Sequence, residues 1–237
     1  MIVLGIDTAT AATAVALGGE SGPLREARDD PPAGAHPGHA TRLLAMVDEL
    51  LGGAGLELGD VQRIAVGVGP GTFTGLRVGI ATARALAQSA GSELVGVSSL
   101  AALAAPALSR ARSEERTVLA TIDARRREVF AAPYSPGGEL LAGAQAIAPA
   151  GIGGLVEQSG AVQPLGVGDG ALRYRAELEA AGVEVPEDGS PLHRVTAAAI
   201  CELGQSGAGG DYAEVLPEYL RRPDAELALQ AAGGGRS

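Results

Sequence analysis

Ile2-Val3-Leu4-Gly5-Ile6-Asp7 is a short apolar run that ends on a carboxylate, and Thr13-Ala14-Val15-Ala16-Leu17 follows it across a polar turn. Two short apolar runs joined in this way predict a β-hairpin with Asp7 at its tip. About a hundred residues further on the arrangement returns. Residues 117–122 form an apolar run ending on Asp123, a polar turn intervenes, and residues 128–132 supply the return strand. Residue by residue the repeat is weak, but its placement divides the chain into two halves that open alike, and internal repetition fixes architecture.

Working outward from the first hairpin, residues 24–28 read as a third strand and the breaker-rich stretch 29–38 as a loop. Leu43, Leu44, Val47, Leu50 and Leu51 recur at spacings of three and four, predicting a helix over 39–51 that Gly52 and Gly53 stop. A buried strand over 63–68 runs into a glycine-rich turn and a helix over 76–90. A strand over 94–97 then leads to a helix capped by Ser98 or Ser99 and running through 108. The polar segment 109–116 is the expected hinge. The second half adds a helix near 150–158, a strand near 162–168, and helices near 171–181 and 195–203. Expected boundaries are a first lobe over 1–108, a second over 109–222 whose last helix packs back on the first, and a flexible tail over 223–237. The glycine-rich end after 231 is expected to be disordered. Alternating strands and helices in two halves, each opening on a hairpin with Asp at its tip, suit an α/β protein with the actin-like ATPase (ASKHA, ribonuclease H-like) fold of two duplicated lobes.

Composition narrows the function. At 237 residues one or two domains are expected, and a hydrophobic fraction of 46% is ample for a packed core. Aromatics are only 3% with no Trp, so Ala, Val, Leu and Ile must build that core. The net charge of −10 argues against an autonomous RNA binder, because phosphate neutralisation supplies most non-specific affinity. All 18 cations are arginines. Without lysine there is neither a Walker-A phosphate loop nor Schiff-base chemistry. The single cysteine, Cys201, excludes an internal disulfide and a Cys-based zinc site, and its apolar helical setting marks it as structural. No apolar run reaches membrane-spanning length, and the first residues read as a core strand with no basic leader, so a cytoplasmic protein is expected.

The most distinctive segment is Gly69-Pro70-Gly71-Thr72-Phe73-Thr74-Gly75-Leu76-Arg77. Three glycines in seven residues permit close backbone approach, Thr74 can cap the helix that follows, and such a strand–loop–helix can cradle a phosphate. It can equally be a tight turn that packs the helix on the sheet; chemistry alone divides the two evenly. The helix after it carries Gly79, Ala81, Ala83, Ala85 and Ala87. That paucity of bulk suits either a buried core helix or, with the Leu-rich helix over 39–51, an apolar face for a partner; the interface reading is preferred. Asp7 and Asp123 could each hold a metal-bound phosphate through water or be Asx-turn residues, and the hydroxyls of Thr8 and Thr10 suit both. His36 and His39 are separated by Pro37 and Gly38, off the i, i+4 spacing of a helical metal pair. Arg125-Arg126-Arg127 is the only cationic run, and three charges at a hairpin turn usually form a solvated loop.

Six segments resemble, in the same order, the TsaB (YeaZ) family. They are Ile6-Asp7-Thr8-Ala9-Thr10, His39 leading its Leu-rich helix, the segment 69–77, Val97-Ser98-Ser99-Leu100, Ile122-Asp123-Ala124-Arg125 with Glu128-Val129-Phe130, and Pro217-Glu218-Tyr219-Leu220-Arg221. The resemblance implies an actin-like fold and a subunit without a catalytic or metal site of its own. Its partner would be TsaD, which transfers the threonylcarbamoyl group to adenosine 37 of tRNAs reading codons that begin with A. The P-loop ATPase TsaE would join the pair, and tRNA would be met only through the complex. TsaD carries a metal-binding His pair spaced i, i+4 on a helix, which this sequence lacks. The implied partner interface is His39, Leu43, Met46, Val47, Leu50, Phe73, Arg77, Gly79, Ala83 and Leu86. Asp7, Thr8, Thr10, Gly69, Gly71 and Thr72 would be vestigial phosphate loops. ATP or ADP at the joint site with TsaD, and a homodimer when TsaD is absent, stay open. The alternatives are an ATP-dependent phosphotransferase with Asp7 and Asp123 on Mg-ATP, and a metalloprotease.

Overall fold

A computed structural model describes residues 1–19, 22–32, 35–207 and 209–221; the expected tail over 223–237 lies outside the described residues. The first sheet has five strands in the order β3-β2-β1-β4-β5: β1 (Val3–Asp7), β2 (Thr13–Gly19), β3 (Gly22–Asp29), β4 (Arg63–Gly69) and β5 (Glu93–Ser98). β1, β2 and β3 form an antiparallel meander, and β4 and β5 extend it in parallel with β1. The second sheet repeats the scheme without a fifth strand, in the order β8-β7-β6-β9. Its strands are β6 (Val118–Arg125), β7 (Glu128–Tyr134), β8 (Gln145–Ile147) and β9 (Leu165–Val167). β6, β7 and β8 are antiparallel neighbours and β9 runs parallel to β6. The two halves are therefore duplicated lobes, as the twin hairpins predict.

Helices separate the sheets into five layers. α1 (His39–Ala54) and α2 (Phe73–Ala90) cover the outer face of the first sheet; α4 (Ile152–Ser159), α5 (Asp169–Arg173) and α6 (Arg175–Ala180) cover that of the second. Between the sheets lie α3 (Ser99–Ser113) and α7 (Ala197–Ser206), packed on each other. The alanine-rich composition serves this middle layer: Ala102, Ala104, Ala107, Ala111, Ala197 and Ala199 are buried there. Short side chains let two helices fit between two sheets at native density. The central strands are covered on both faces, so they read as unbroken apolar runs, and full burial of each Leu or Ile stabilises by about 1.5–3 kcal/mol.

The lobes exchange their covering helices. α3 comes from the first half yet packs mainly on β6, whereas α7 comes from the second half and lies across β1, β2 and β4. Two first-lobe charges hold α7 by its ends. Glu26 Oε1 accepts from the amides of Ala197 (2.8 Å) and Ala198 (3.3 Å), and Arg63 Nη1 donates to the carbonyls of Gly204, Gln205 and Gly207 at 2.8–2.9 Å. Each supplies the sign of charge that the helix end requires.

Several boundaries differ from the sequence reading. The expected hinge over 109–116 is largely helix: α3 continues to Ser113, because Ala107 and Ala111 still face the core. α1 passes through Gly52 and Gly53 and stops only at Gly55, whose φ of 68° supplies the left-handed turn that ends a helix. The helix expected over 171–181 breaks at Tyr174 into α5 and α6. Thr74 is not the cap of α2. The helix begins at Phe73, with Thr72 in the capping position, although no side-chain bond is made there.

Candidate functional site

The two hairpin tips, the glycine-rich turn and a C-terminal strap converge where the lobes meet. Asp7 at the first tip is buried, and its carboxylate is fully engaged: Oδ1 accepts from the Ala9 amide (3.0 Å) and Oδ2 from the Ser99 hydroxyl (2.8 Å). Burial raises its pKa; the Ser99 and Ala9 bonds and the charge of Arg28 oppose that only in part. Asp7 is thus an Asx-turn residue that ties β1 to the start of α3. Asp123 at the second tip accepts from the Arg125 amide (2.9 Å) and pairs with Arg173 (3.0 Å). Asp169 Oδ1 accepts from the Asp123 amide at 2.9 Å, and burial raises the Asp169 pKa.

The glycines of the 69–77 segment are packed against the first tip. The Thr72 amide donates to the Ala9 carbonyl (2.8 Å) and Thr8 Oγ1 donates to the Gly75 carbonyl (2.8 Å). A Cβ at Gly71 would stand 2.3 Å from the Ala9 carbonyl oxygen, and one at Gly75 2.0 Å from that of Thr8. Glycine is required at both because backbone approaches backbone. The 8–10 turn therefore backs one side of the glycine-rich turn, while Gly71 and Thr72 line the cleft on its other side. Gly69, at φ 112°, ends β4, and the Thr10 hydroxyl accepts from the Ala12 amide (3.4 Å). This geometry gives Asp7, Thr8, Gly71 and Thr72 a role in holding the first tip to the turn.

On that side lies a cleft of about 390 Å³ between Gly71 and Thr72, the start of α2, the β6–β7 turn and residues 218–221. Residues 209–221 form a strap, a role that sequence reasoning missed although the resemblance marked 217–221. The Glu218 amide donates to the Val68 carbonyl (2.7 Å), Tyr212 Oη to that of Ser92 (2.8 Å), and Arg84 Nη2 to that of Val215. Tyr219 lies 5.3 Å from Phe73 centroid to centroid and receives a bond from Arg77 Nε (3.1 Å), while the Arg77 guanidinium sits 3.8 Å over the Phe73 ring. The aromatic at 219 facing an aromatic and an arginine four apart on α2 was the signal available in the sequence.

Most of the expected interface faces inward. His39, Leu43, Met46, Val47 and Leu50 on α1, and Gly79 and Ala83 on α2, are buried in the core over the first sheet. The 3.6-residue stripe that reads as a docking face is the one that attaches α1 and α2 to their own sheet. Phe73 and Leu86 are half-buried and Arg77 is exposed but engaged with the strap. The outward faces of the two helices instead carry Leu44, 59% exposed, with Ala45, Ala81 and Ala85. His39 Nδ1 lies 2.9 Å from Thr13 Oγ1, and burial lowers its pKa, with the Thr10 backbone and Asp29 pulling the other way. Four residues on from His39 stands buried Leu43, so the helix presents no second imidazole. Among the described residues no cluster of three His, Cys, Asp or Glu side chains could hold a metal ion, and no helix is long and apolar enough to cross a membrane.

Residues 31–166 match the family model described as TsaD, tRNA N6-adenosine threonylcarbamoyltransferase. The solved structure of YeaZ from Pseudomonas aeruginosa is 30% identical and superposes with a TM-score of 0.72 over 92% of this chain and 100% of that one. The chain belongs to the TsaB (YeaZ) family. The tRNA threonylcarbamoyladenosine biosynthesis protein TsaB of Escherichia coli is 40% identical over 139 residues, 56% of this chain and 55% of that protein. The match thus spans about half the length of this curated TsaB relative. The fold extends to remote proteins: a ROK hexokinase from Thermus thermophilus, 12% identical, aligns at a TM-score of 0.52 over 86% of this chain and 98% of that one. The architecture is accordingly the actin-like ATPase fold.

Proposed function

We propose that this chain acts in the biosynthesis of threonylcarbamoyladenosine on tRNA as a non-catalytic, activating subunit that pairs with TsaD. In this reading TsaD transfers the threonylcarbamoyl group to adenosine 37 of tRNAs reading codons that begin with A, and TsaE joins the pair. The observation that carries the reading is the structural use of Asp7 and of the glycine-rich turn. The Asp7 carboxylate accepts from Ala9 and Ser99, and the glycine-rich turn is seated on the 8–10 turn, so the residues that would drive phosphoryl transfer hold the fold together. A surface of net charge −10 agrees with tRNA being met through the complex.

The outward faces of α1 and α2 are the proposed contact with TsaD, and in its absence with a second copy of this chain. Co-purification with TsaD tests the pairing, and Leu44→Asp and Ala81→Arg test the surface. Both positions are exposed, so the fold should survive while affinity falls at least about tenfold, the usual scale for a charge placed in an apolar contact. Undiminished binding by both variants would refute this surface, and failure of the unaltered chain to bind TsaD would refute the pairing.

A further inference from the structure

A sheet edge with unpaired backbone accepts another strand, and folds cover such edges, shorten them or break them with charge and proline. Three of the four edges of the two sheets are covered or short. Leu94 of β5 is bridged by Gly210 of the strap, Leu165 of β9 is bridged by Glu184, and β8 has only three residues. The fourth edge, β3, is the longest strand of its sheet at eight residues. Among the described residues the backbone of 25–29 bonds only to β2. Pro23 and the register shift beside it confine any further pairing to that stretch. On the α1 side, a groove of about 330 Å³ beside Arg25, Ala27, Met46 and Leu50 leaves room for the side chains of a second strand.

The charges of Arg25-Glu26-Ala27-Arg28-Asp29 invert in sign about the central alanine. When the stretch pairs antiparallel with its own copy, centred on Ala27, Arg25 faces Asp29 of the second copy and Glu26 faces Arg28. Every charged pair then joins opposite signs, which stabilises a sheet, whereas like charges directly opposite destabilise it. A register shifted by one residue sets Arg25 against Arg28 or Glu26 against Asp29, and a shift by two sets Glu26 or Arg28 against itself. Alternation sorts the pairs by face. Glu26 and Arg28 face α7, where Glu26 accepts from the Ala197 amide (2.8 Å) and Arg28 donates to the Val195 carbonyl (2.6 Å) and to Asp30 (2.9 Å). Committed in this way, they set the register more than they add attraction. Arg25 and Asp29 are the freer pair: Arg25 is exposed and makes no ion pair among the described residues, and Asp29 meets Arg42 only at 3.8 Å, with 34% of its side chain exposed. We infer that two copies of this chain pair edge to edge through β3, antiparallel and centred on Ala27, joining their first sheets into one continuous sheet about a two-fold axis.

This edge is separate from the outward faces of α1 and α2, so it is tested without TsaD, in the full chain carrying Leu44→Asp and Ala81→Arg. The pairing proposed above is judged by binding to TsaD, and the two readings therefore fail separately. Sedimentation equilibrium should show a dimer in this background, and amide hydrogen exchange at 25–29 should slow as protein concentration rises. Arg25→Glu and Asp29→Arg, each added alone, set two like-charged pairs across the two-fold axis and should weaken self-association at least about tenfold. Mixing the two variants one to one restores both opposite-charge pairs, so a mixed dimer of the original affinity is expected. A monomer at millimolar concentration overturns the inference. So does undiminished association of either variant alone, a mixture that associates no more tightly than its parts, or exchange at 25–29 that does not respond to concentration.

Discussion

Gly75→Ala separates a packing turn from a phosphate cradle by the sign of its effect. In an open helical position, replacing glycine by alanine stabilises by about 1 kcal/mol. At Gly75 the added Cβ would stand 2.0 Å from the Thr8 carbonyl oxygen and 2.5 Å from Thr72 Oγ1. The first is backbone and cannot turn aside; the second is a side-chain hydroxyl that makes no capping bond and can rotate, so the Thr8 clash decides the cost. Overpacking of this kind costs about 1–3 kcal/mol, and displacing the Gly75 carbonyl from the Thr8 hydroxyl loses a further ~1 kcal/mol. Set against the helical gain, the net loss is about 1–3 kcal/mol. At about 2–4 °C per kcal/mol for a chain of this size, Tm should fall by about 2–12 °C. Gly52→Ala in α1 is the matched control: nothing lies within 4 Å of its Cβ, so Tm should rise by about 2–4 °C. Differential scanning calorimetry of both variants reads the two signs. A rise in Tm for Gly75→Ala would show that the turn is not seated on Thr8, and the structural role of the turn would fail with it.

Other outcomes follow from burial. Ala83 is completely buried, so Ala83→Arg should destabilise by several kcal/mol and give little folded protein, unlike Ala81→Arg two residues away; circular dichroism melts distinguish them. The Asp7 pKa is raised in the folded state, so the native protein holds that proton more tightly than the unfolded chain does. Stability should therefore fall as pH rises from the ordinary carboxylate value of about 3.9 through the raised one. Asp7→Asn should gain on the unaltered protein across that window and keep a constant lead above it; a pH-independent difference in urea midpoints would contradict this. Cys201 is buried and its thiol is pushed up to about 12, so it should resist thiol reagents in the native protein and react on unfolding. Rapid native labelling would refute that placement.

The sequence by itself determined the twin hairpins, the α/β class and most strands, because strand and turn signals are local: apolar runs, polar tips and glycines at fixed offsets. It also marked 69–77 and the missing second imidazole after His39. What it could not decide was which way an apolar stripe faces. Leu43, Met46 and Val47 look the same whether a partner or the first sheet covers them, and only the tertiary structure shows the sheet there. That the last helix packs back on the first lobe was expected, but the placement of α3 on the second sheet, and the bonds that hold α7, escaped for a related reason. Glu26 and Arg63 hold α7 across more than a hundred residues of chain, and no local pattern encodes such a bond. The glycine-rich turn is the clearest case. Its sequence permits either a phosphate or a neighbouring backbone to approach, and the Ala9 carbonyl, brought in by the first hairpin, is what approaches Gly71. Local chemistry sets what a segment can accept; long-range packing sets what it receives.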